Sequence, residues 1–356
     1  MSSQSYKEFN NKLIDWFRLY KREMPWRGIT DPYRIWVSEV MLQQTQVKKV
    51  VGYYENFMKR FPDIQTLASS SVQDVLKVWE GLGYYARARN LHKAAQQVVK
   101  DCNSQISDDY NTFRKLPGIG DYSAAAVMSI AFNQPYAAVD GNIKRVLSRL
   151  FLMDNPVNDS SSSKVFQEQA DLLLDRNEPG CFNQAMMELG ATVCRPQSPA
   201  CVVCPVNAYC KAYKEGLQNE YPFRTQTKKI PEYNIAAGII YKDSDVLIVQ
   251  RPLEGLLGGL WEFPNGNLNK GETSEEACIR HILQSTNLSI SNLNYLTQVK
   301  HAYTHFKIIV HTFECEYTQG DLLLNGPIDA KWIKIAELDK YPLPKATHKI
   351  IDKLTL

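Results

Sequence analysis

Over the first 216 positions apolar side chains return every three or four residues, the spacing of one helix face, with short polar breaks between stretches. Phe9, Leu13, Trp16, Phe17 and Tyr20 form such a stripe and predict a first helix with one buried face. From Thr30 to Met58 the stripe runs through Ile35, Trp36, Val40, Val47, Val50 and Tyr54. Asp31-Pro32 opens it, because aspartate can cap the free amides and proline suits a first turn. Read as one helix, this stretch carries Gln44 and Thr45 about a turn beyond Glu39. No strand alternation and no fixed repeat occurs in this part. Periodicity is lost over 217–233, where Pro222, Pro231 and a small basic cluster predict a linker. Beyond it NIAAGIIY, DVLIVQR, YLTQVKHAY and FKIIVHTFECEY read as strands, and TSEEACIRHILQST as a helix capped by Thr273. The expected architecture is multidomain: all-α over 1–216, a linker over 217–233, and an α+β domain over 234–356.

A length of 356 residues also suggests two or three domains, and 44% apolar with 22% charged residues is the balance of a folded soluble chain. No apolar run reaches the ~18 residues a membrane span needs. The N-terminus lacks the basic-then-apolar order of a secretion signal, so a bacterial cytoplasm is the expected location. Residues 1–225 hold 27 basic and 23 acidic side chains, a net of +4; the remainder holds 14 and 15, a net of −1. A polyanion-binding surface is therefore expected in the first part. Four of the eight cysteines crowd into seventeen residues, which without a signal sequence argues for metal rather than disulfides.

Four features carry chemistry. Glu39 shares a helix face with Ile35, Trp36, Leu42 and Gln43, so it is either solvated at the stripe's edge or held in a semi-dry pocket. In the pocket, desolvation would raise its pKa toward the range of a general acid. LPGIGDYSAAAVMSIAF places Gly118, Ile119 and Gly120 between two helices over about 111–130. Glycines flanking an apolar anchor let amides at a helix start approach a phosphate, the helix-hairpin-helix grip on a DNA backbone. Asp140, in AAVDGNIKRVLSRL, is an N-cap candidate or a working carboxylate, and Lys144, Arg145 and Arg149 after it could face phosphates or water. Cys194, Cys201, Cys204 and Cys210, spaced C-x6-C-x2-C-x5-C in a module over about 190–216, can close around zinc or an iron–sulfur cubane.

Together WVSEVMLQQT, GLGYYARARNLHKAA, LPGIG, VDGN, FNQAMMELG and the cysteine spacing resemble the MutY-type adenine DNA glycosylases of the endonuclease III-like superfamily. The resemblance covers essentially the whole chain from Pro25. It implies base-flipping hydrolysis of the glycosidic bond of adenine opposite 8-oxoguanine, and opposite guanine, in double-stranded DNA. It implies one 4Fe–4S cluster per chain on the four cysteines and a monomer that uses no membrane. Glu39 matches the family's acid, Asp140 the carboxylate that stabilises the sugar cation, Tyr122 a tyrosine beside the sugar, and Asn142 a neighbour that orients the acid network. Trp26, Arg27 and Gln184 match the adenine pocket; Gln44, Thr45, Leu82 and Tyr84 match residues that probe or wedge the opposing base. The rival is an endonuclease III-like glycosylase-lyase acting on oxidised pyrimidines. That class carries a lysine where Tyr122 stands, so a monofunctional enzyme is expected. The loop RPQSPA between Cys194 and Cys201 departs from the family in holding a single basic residue.

Residues 262–288 align with a Nudix box through Gly266, Glu272 and Arg280, but His281, Gln284 and Ser285 replace its metal-binding glutamates and Asn287 its late glycine. Carboxylate-bound magnesium cannot form on those side chains. The resemblance implies a recognition domain that reads 8-oxoguanine through a Phe-Ser-His loop; here the loop is Tyr303-Thr304-His305, and threonine keeps the hydroxyl.

Overall fold

The first 216 positions fold into helices α1 (Ser3–Tyr20), α2 (Pro32–Leu42), α3 (Val47–Arg60), α4 (Ile64–Ser69), α5 (Val72–Trp79), α6 (Ala86–Asp101), α7 (Tyr110–Arg114), α8 (Asp121–Phe132), α9 (Gly141–Phe151), α10 (Ser163–Leu173), α11 (Pro179–Thr192) and α12 (Lys211–Lys214). The structure is a computed structural model and describes residues 3–226 and 229–354; Thr227 and Lys228 of the expected linker, and the chain ends, lie outside the described residues. Two units emerge, Met1–Ala68 with Lys93–Thr227, and Ser69–His92 with Lys228–Leu356. Among the described residues no helix is long and apolar enough to cross a membrane.

In the first unit Phe9, Leu13 and Phe17 of α1 pack against Ile143, Leu147 and Leu150 of α9 and Phe182, Met186 and Leu189 of α11. The predicted α1 stripe holds except at its end: Tyr20, the last residue of the helix, is 69% exposed, and Ile14 is buried instead. Asp31 does cap α2, its side chain accepting from the backbone amides of Tyr33 at 2.9 Å and Arg34 at 3.2 Å. The expected single helix over 30–58 is two. Gln44 takes φ +56 and Thr45 N–H turns back to Leu42 O, so α2 stops at Leu42 and α3 starts at Val47. The apolar stripe has a gap between Leu42 and Val47, and four polar residues there leave no packing to hold a helix together. Gln44 and Thr45 therefore sit in a turn rather than on a helix face.

In the second unit strands β1 (Glu232–Lys242), β2 (Asp245–Gln250), β3 (Trp261–Glu262), β4 (Asn265–Asn267), β5 (Ser289–Ala302), β6 (Lys307–Gln319) and β7 (Asp329–Lys334) form one sheet in the order β3-β2-β1-β6-β5, with β4 on β1 and β7 on β2. β1 and β6 run parallel; the other pairs are antiparallel. Alternation sorts side chains to two faces. Ala236, Ile240 and Phe313 meet Ala277, Cys278 and Ile282 of α13 (Ser274–Thr286). Ala237, Ile239 and Val310 meet Ala346 and Ile350 of α14 (Lys345–Ile351). Thr273 caps α13 in a full capping box with Glu276, as its sequence predicts.

Candidate active site

A cavity of about 910 Å³ in the first unit is lined by side chains from α2, the α2–α3 turn, the start of α8, the start of α9 and α11. It brings together Trp26, Arg27, Glu39, Gln44, Thr45, Gly118, Gly120, Tyr122, Asp140, Asn142 and Gln184. Ile119, between the two glycines, is buried as the hairpin's anchor, and Gly118 has φ +76, a conformation that favours glycine.

Glu39 is 5% exposed, so the semi-dry alternative is the one realised. Burial raises its carboxyl to about 7; a hydrogen bond from Tyr122 opposes the shift, nearby Asp140 adds to it, and Arg27 opposes it. Tyr122 Oη donates to Glu39 Oε2 at 2.7 Å and also lies 3.2 Å from Met187 Sδ. The tyrosine itself is pushed well above its ordinary value, by burial first and then by the charges of Glu39 and Asp140. At neutral pH it keeps its proton and can donate to Glu39.

Asp140 is the N-cap that its sequence position allowed, and it also lines the cavity. Its Oδ1 caps α9 by accepting Ile143 N–H at 2.7 Å, and its Oδ2 accepts from Asn142 Nδ2 at 2.8 Å. Burial raises this carboxyl too, but those donors and the charge of Arg145 favour the anion. Asn142 is in turn oriented by Arg145 Nη2 at 2.9 Å, whose guanidinium also donates to Gly190 O and Cys194 O. Gly190 makes that approach possible, since a Cβ there would lie 2.7 Å from Asn142 Cβ.

Two parts of this region had no sequence signal of their own, and a third points elsewhere than its sequence suggests. Glu188, 1% exposed, is clamped by Arg22 at 2.6 and 2.9 Å and by Arg27 at 2.5 Å. Burial alone would raise Glu188, yet the two arginines hold it below the usual carboxylate value. Gln43 Nε2 donates to the buried Ser123 Oγ at 2.9 Å, tying α2 to α8. Arg145 and Arg149 were expected to face phosphate or water; both are buried instead, at 6% and 2% exposure. They lie on the inward face of an amphipathic helix, where no residue type but only the register of α9 shows their direction.

Arg149 leads to the cysteines. Its guanidinium donates to Tyr221 O, Arg195 O and Pro196 O, and to Cys194 Sγ at 3.2 Å. Cys194, Cys201, Cys204 and Cys210 line one small cavity with Val146, Leu189 and Val206. Burial pushes the Cys204 thiol up to about 12 and raises Cys201 and Cys210. Among the described residues no three His, Cys, Asp or Glu side chains stand close enough to hold a single metal ion.

The remaining predicted residues lie in the second unit. Leu82 is buried at 5% exposure, so Tyr84 is the accessible member of that pair. Tyr84 Oη hydrogen-bonds Thr304 Oγ1, joining two residues that sequence placed 220 positions apart. Thr304 and His305 form the exposed tip of the β5–β6 turn, while Tyr303 stacks on Phe306 at 4.8 Å and lines a cavity of about 410 Å³ with Glu262 and Arg251. In the Nudix-like box Glu272 is committed to Arg280 through bonds of 2.6 and 2.6 Å, His281 Nε2 lies 2.8 Å from Asn267 O, and Ser285 donates to His281 O.

Residues 37–170 match the family model of the HhH-GPD superfamily base excision DNA repair proteins, and residues 235–353 match that of the NUDIX domain. An adenine DNA glycosylase of Mus musculus is 33% identical over 398 residues, 96% of this chain and 77% of the relative. One from Buchnera aphidicola subsp. Baizongia pistaciae is 32% identical over 97% of this chain and 96% of its own. Among solved structures, a thermostable thymine-DNA glycosylase superposes with TM-score 0.55 at 28% identity, covering 60% of this chain and 98% of its own. An endonuclease III–DNA complex, with TM-score 0.52 and 21% identity over 61% of this chain and 99% of its own, shares the fold.

Proposed function

The chain belongs to the adenine DNA glycosylases of base excision repair, and from that premise we propose that its substrate is adenine opposite 8-oxoguanine, or opposite guanine, in double-stranded DNA. The reaction is monofunctional hydrolysis of the N-glycosidic bond on a flipped-out adenine, with residues 1–216 as the catalytic part, 217–233 as a linker and 234–356 as the recognition domain. The observation that carries the reading is the buried Glu39 at about 7, hydrogen-bonded by Tyr122 and facing the cavity that Asp140 also lines.

Glu39 is the general acid. Because Oε2 accepts from Tyr122, the transferable proton sits on Oε1, free to reach an imidazole-ring nitrogen of the base. As the bond lengthens its electron pair goes to the base, which leaves neutral once protonated. Positive charge then develops on the sugar, where the Asp140 carboxylate faces it and bonds transiently to the anomeric carbon until water displaces it, the water's proton passing to the Glu39 carboxylate. The cap hydrogen bonds from Ile143 and Asn142 favour the Asp140 anion, while Glu39 has one such donor; this asymmetry supports opposite protonation states at one pH. Trp26, Arg27 and Gln184 form the adenine pocket, and the Gly118-Ile119-Gly120 hairpin grips a phosphate at the start of α8 through its glycine amides, with Ile119 as the buried anchor. Gln44, Thr45, Leu82, Tyr84, Tyr303, Thr304 and His305 read or wedge the opposing base.

Cys194, Cys201, Cys204 and Cys210 would hold one 4Fe–4S cluster in a structural role. The four thiols line one cavity, as the four thiolate ligands of a cubane must. The buried Arg149 guanidinium donates to three backbone carbonyls and to Cys194 Sγ, a setting suited to an anionic thiolate cluster. The chain acts as a monomer.

A duplex holding one adenine–8-oxoguanine pair, incubated with the protein and then treated with alkali, should break at the adenine. An intact strand would refute the proposal. Borohydride should trap no covalent DNA complex in high yield; efficient trapping would favour the glycosylase-lyase reading instead.

A further inference from the structure

Residues 69–92 lie inside the stretch that matches the base excision repair family, yet they belong to the unit built on residues 228–356. The attachment is made by specific bonds. Gln73 donates to Gly259 O at 2.9 Å and accepts from Trp261 Nε1 at 2.9 Å. Arg89 Nη1 donates to Gly258 O at 2.8 Å. Between these two, Glu80 gathers three donors: Leu343 N–H at 2.7 Å and His348 Nε2 at 2.7 Å on Oε1, and Lys77 Nζ at 2.6 Å on Oε2. Lys77 in turn donates to Tyr341 O at 3.1 Å. The Glu80 side chain is 16% exposed.

Immediately after Glu80 the chain takes a turn that needs such an anchor. Gly81 and Gly83 have φ +86 and Tyr84 has φ +50, a conformation that disfavours a side chain. The Arg87 guanidinium lies 5.5 Å from the Tyr84 ring and 5.4 Å from the Trp79 ring, and donates to Gly83 O at 3.0 Å. The Tyr84 hydroxyl meets Thr304 at the tip of the β5–β6 turn.

We propose that Glu80 is a positioning residue, fastening the Leu82–Tyr84 turn to the 341–348 segment so that this turn and the Thr304 loop read the base opposite adenine as one element. The inference rests on the proposed role of Leu82, Tyr84 and Thr304 as readers of that base. A helix held only by Val75, Leu76 and Trp79 could shift along its apolar face; the Glu80 bonds fix its end, where the turn begins. Gln73, Arg89 and the apolar contacts remain without Glu80, so its replacement leaves the segment docked but its turn loose.

The test uses the full chain and its Glu80→Ala, Glu80→Gln and Tyr84→Ala variants, on duplexes with adenine opposite 8-oxoguanine or guanine. For Glu80→Ala, binding to the 8-oxoguanine duplex should weaken about tenfold, while the single-turnover excision rate of bound substrate stays unchanged. Amide exchange should quicken at residues 80–85 and 341–343. Glu80→Gln keeps an acceptor for Leu343 N–H and should recover most of both losses. Unchanged exchange at 80–85 in Glu80→Ala would overturn the inference. So would full 8-oxoguanine preference in Glu80→Ala when Tyr84→Ala has lost it. If Tyr84→Ala also keeps that preference, the reading of the turn as a base reader fails, and the role of Glu80 in specificity falls with it.

Discussion

Replacing Glu39 by glutamine should abolish excision and at the same time stabilise the folded protein, with a pH dependence that follows from burial. The carboxyl titrates near 4.5 when exposed and at about 7 in the fold. The folded state therefore keeps the proton over a range where the unfolded chain has released it. The stability that protonated Glu39 contributes is complete below about pH 4.5, declines as pH rises, and is gone above about pH 7. Across that interval, at about 1.4 kcal/mol per pH unit, the loss is about 3 kcal/mol. Glutamine never ionises and avoids it. Its Oε1 can still accept from Tyr122, but its amide group replaces a carboxyl in a poorly solvated cavity, at about 1 kcal/mol. The net expectation at pH 8 is a variant about 2 kcal/mol more stable, or roughly 4–8 °C in Tm for a unit of this size. Thermal unfolding of both proteins between pH 5 and 8.5 measures it. The gap should be small or reversed at pH 5 and widen to its full value by pH 8. A wild-type protein as stable as the variant at pH 8, or a gap that does not widen with pH, would show that Glu39 is not held neutral by burial.

Further outcomes follow from other contacts. Tyr122→Phe removes the hydrogen bond that favours ionised Glu39, so the alkaline limb of the pH–rate profile should move to higher pH; a shift to lower pH would contradict the assignment. Gly190→Ala sets a Cβ against Asn142 and should lower stability by about 1–3 kcal/mol, as overpacked sites do, and slow excision; structure-neutral alanine would mean that α9 and α11 can part freely. Cys204→Ala should remove the visible absorption of the proposed iron–sulfur cluster and lower thermal stability, and full retention of that absorption would exclude the residue as a ligand. Binding to undamaged duplex should weaken linearly in a plot of log affinity against log salt; a flat line would argue against phosphate gripping by the hairpin.

How far the sequence could be read depended on whether a residue's role is local. Asp31, Thr273 and Gly118 act on backbone within three residues, so cap and turn chemistry placed them correctly. The end of α2 was not placed, because apolar spacing alone cannot distinguish one helix from two that share a register across a polar gap. Glu39 was ambiguous until packing showed it buried, since burial is decided by α8 and α11, not by its own helix. Arg145 and Arg149 look like surface cations by type. Their partners are mostly backbone carbonyls of distant segments, which leave no trace in composition or spacing. Glu188 and Glu80 are hidden for the same reason: both Glu188 donors, and two of the three on Glu80, come from more than 160 positions away.

The order of residues at the start of α8 has a mechanical consequence. Gly120 caps the helix and Tyr122 stands in its first turn, so the proposed phosphate cradle and the hydroxyl that orients Glu39 share a single rigid piece of backbone. In that reading α8 works as a gauge along the DNA strand: once a phosphate seats on the hairpin, the distance from it to the acid is set in advance. Inserting one residue between Gly120 and Tyr122 would swing the tyrosine by about 100° around the helix axis. The grip would survive and the register would be lost, leaving a protein that holds duplex DNA but presents the wrong nucleotide to Glu39.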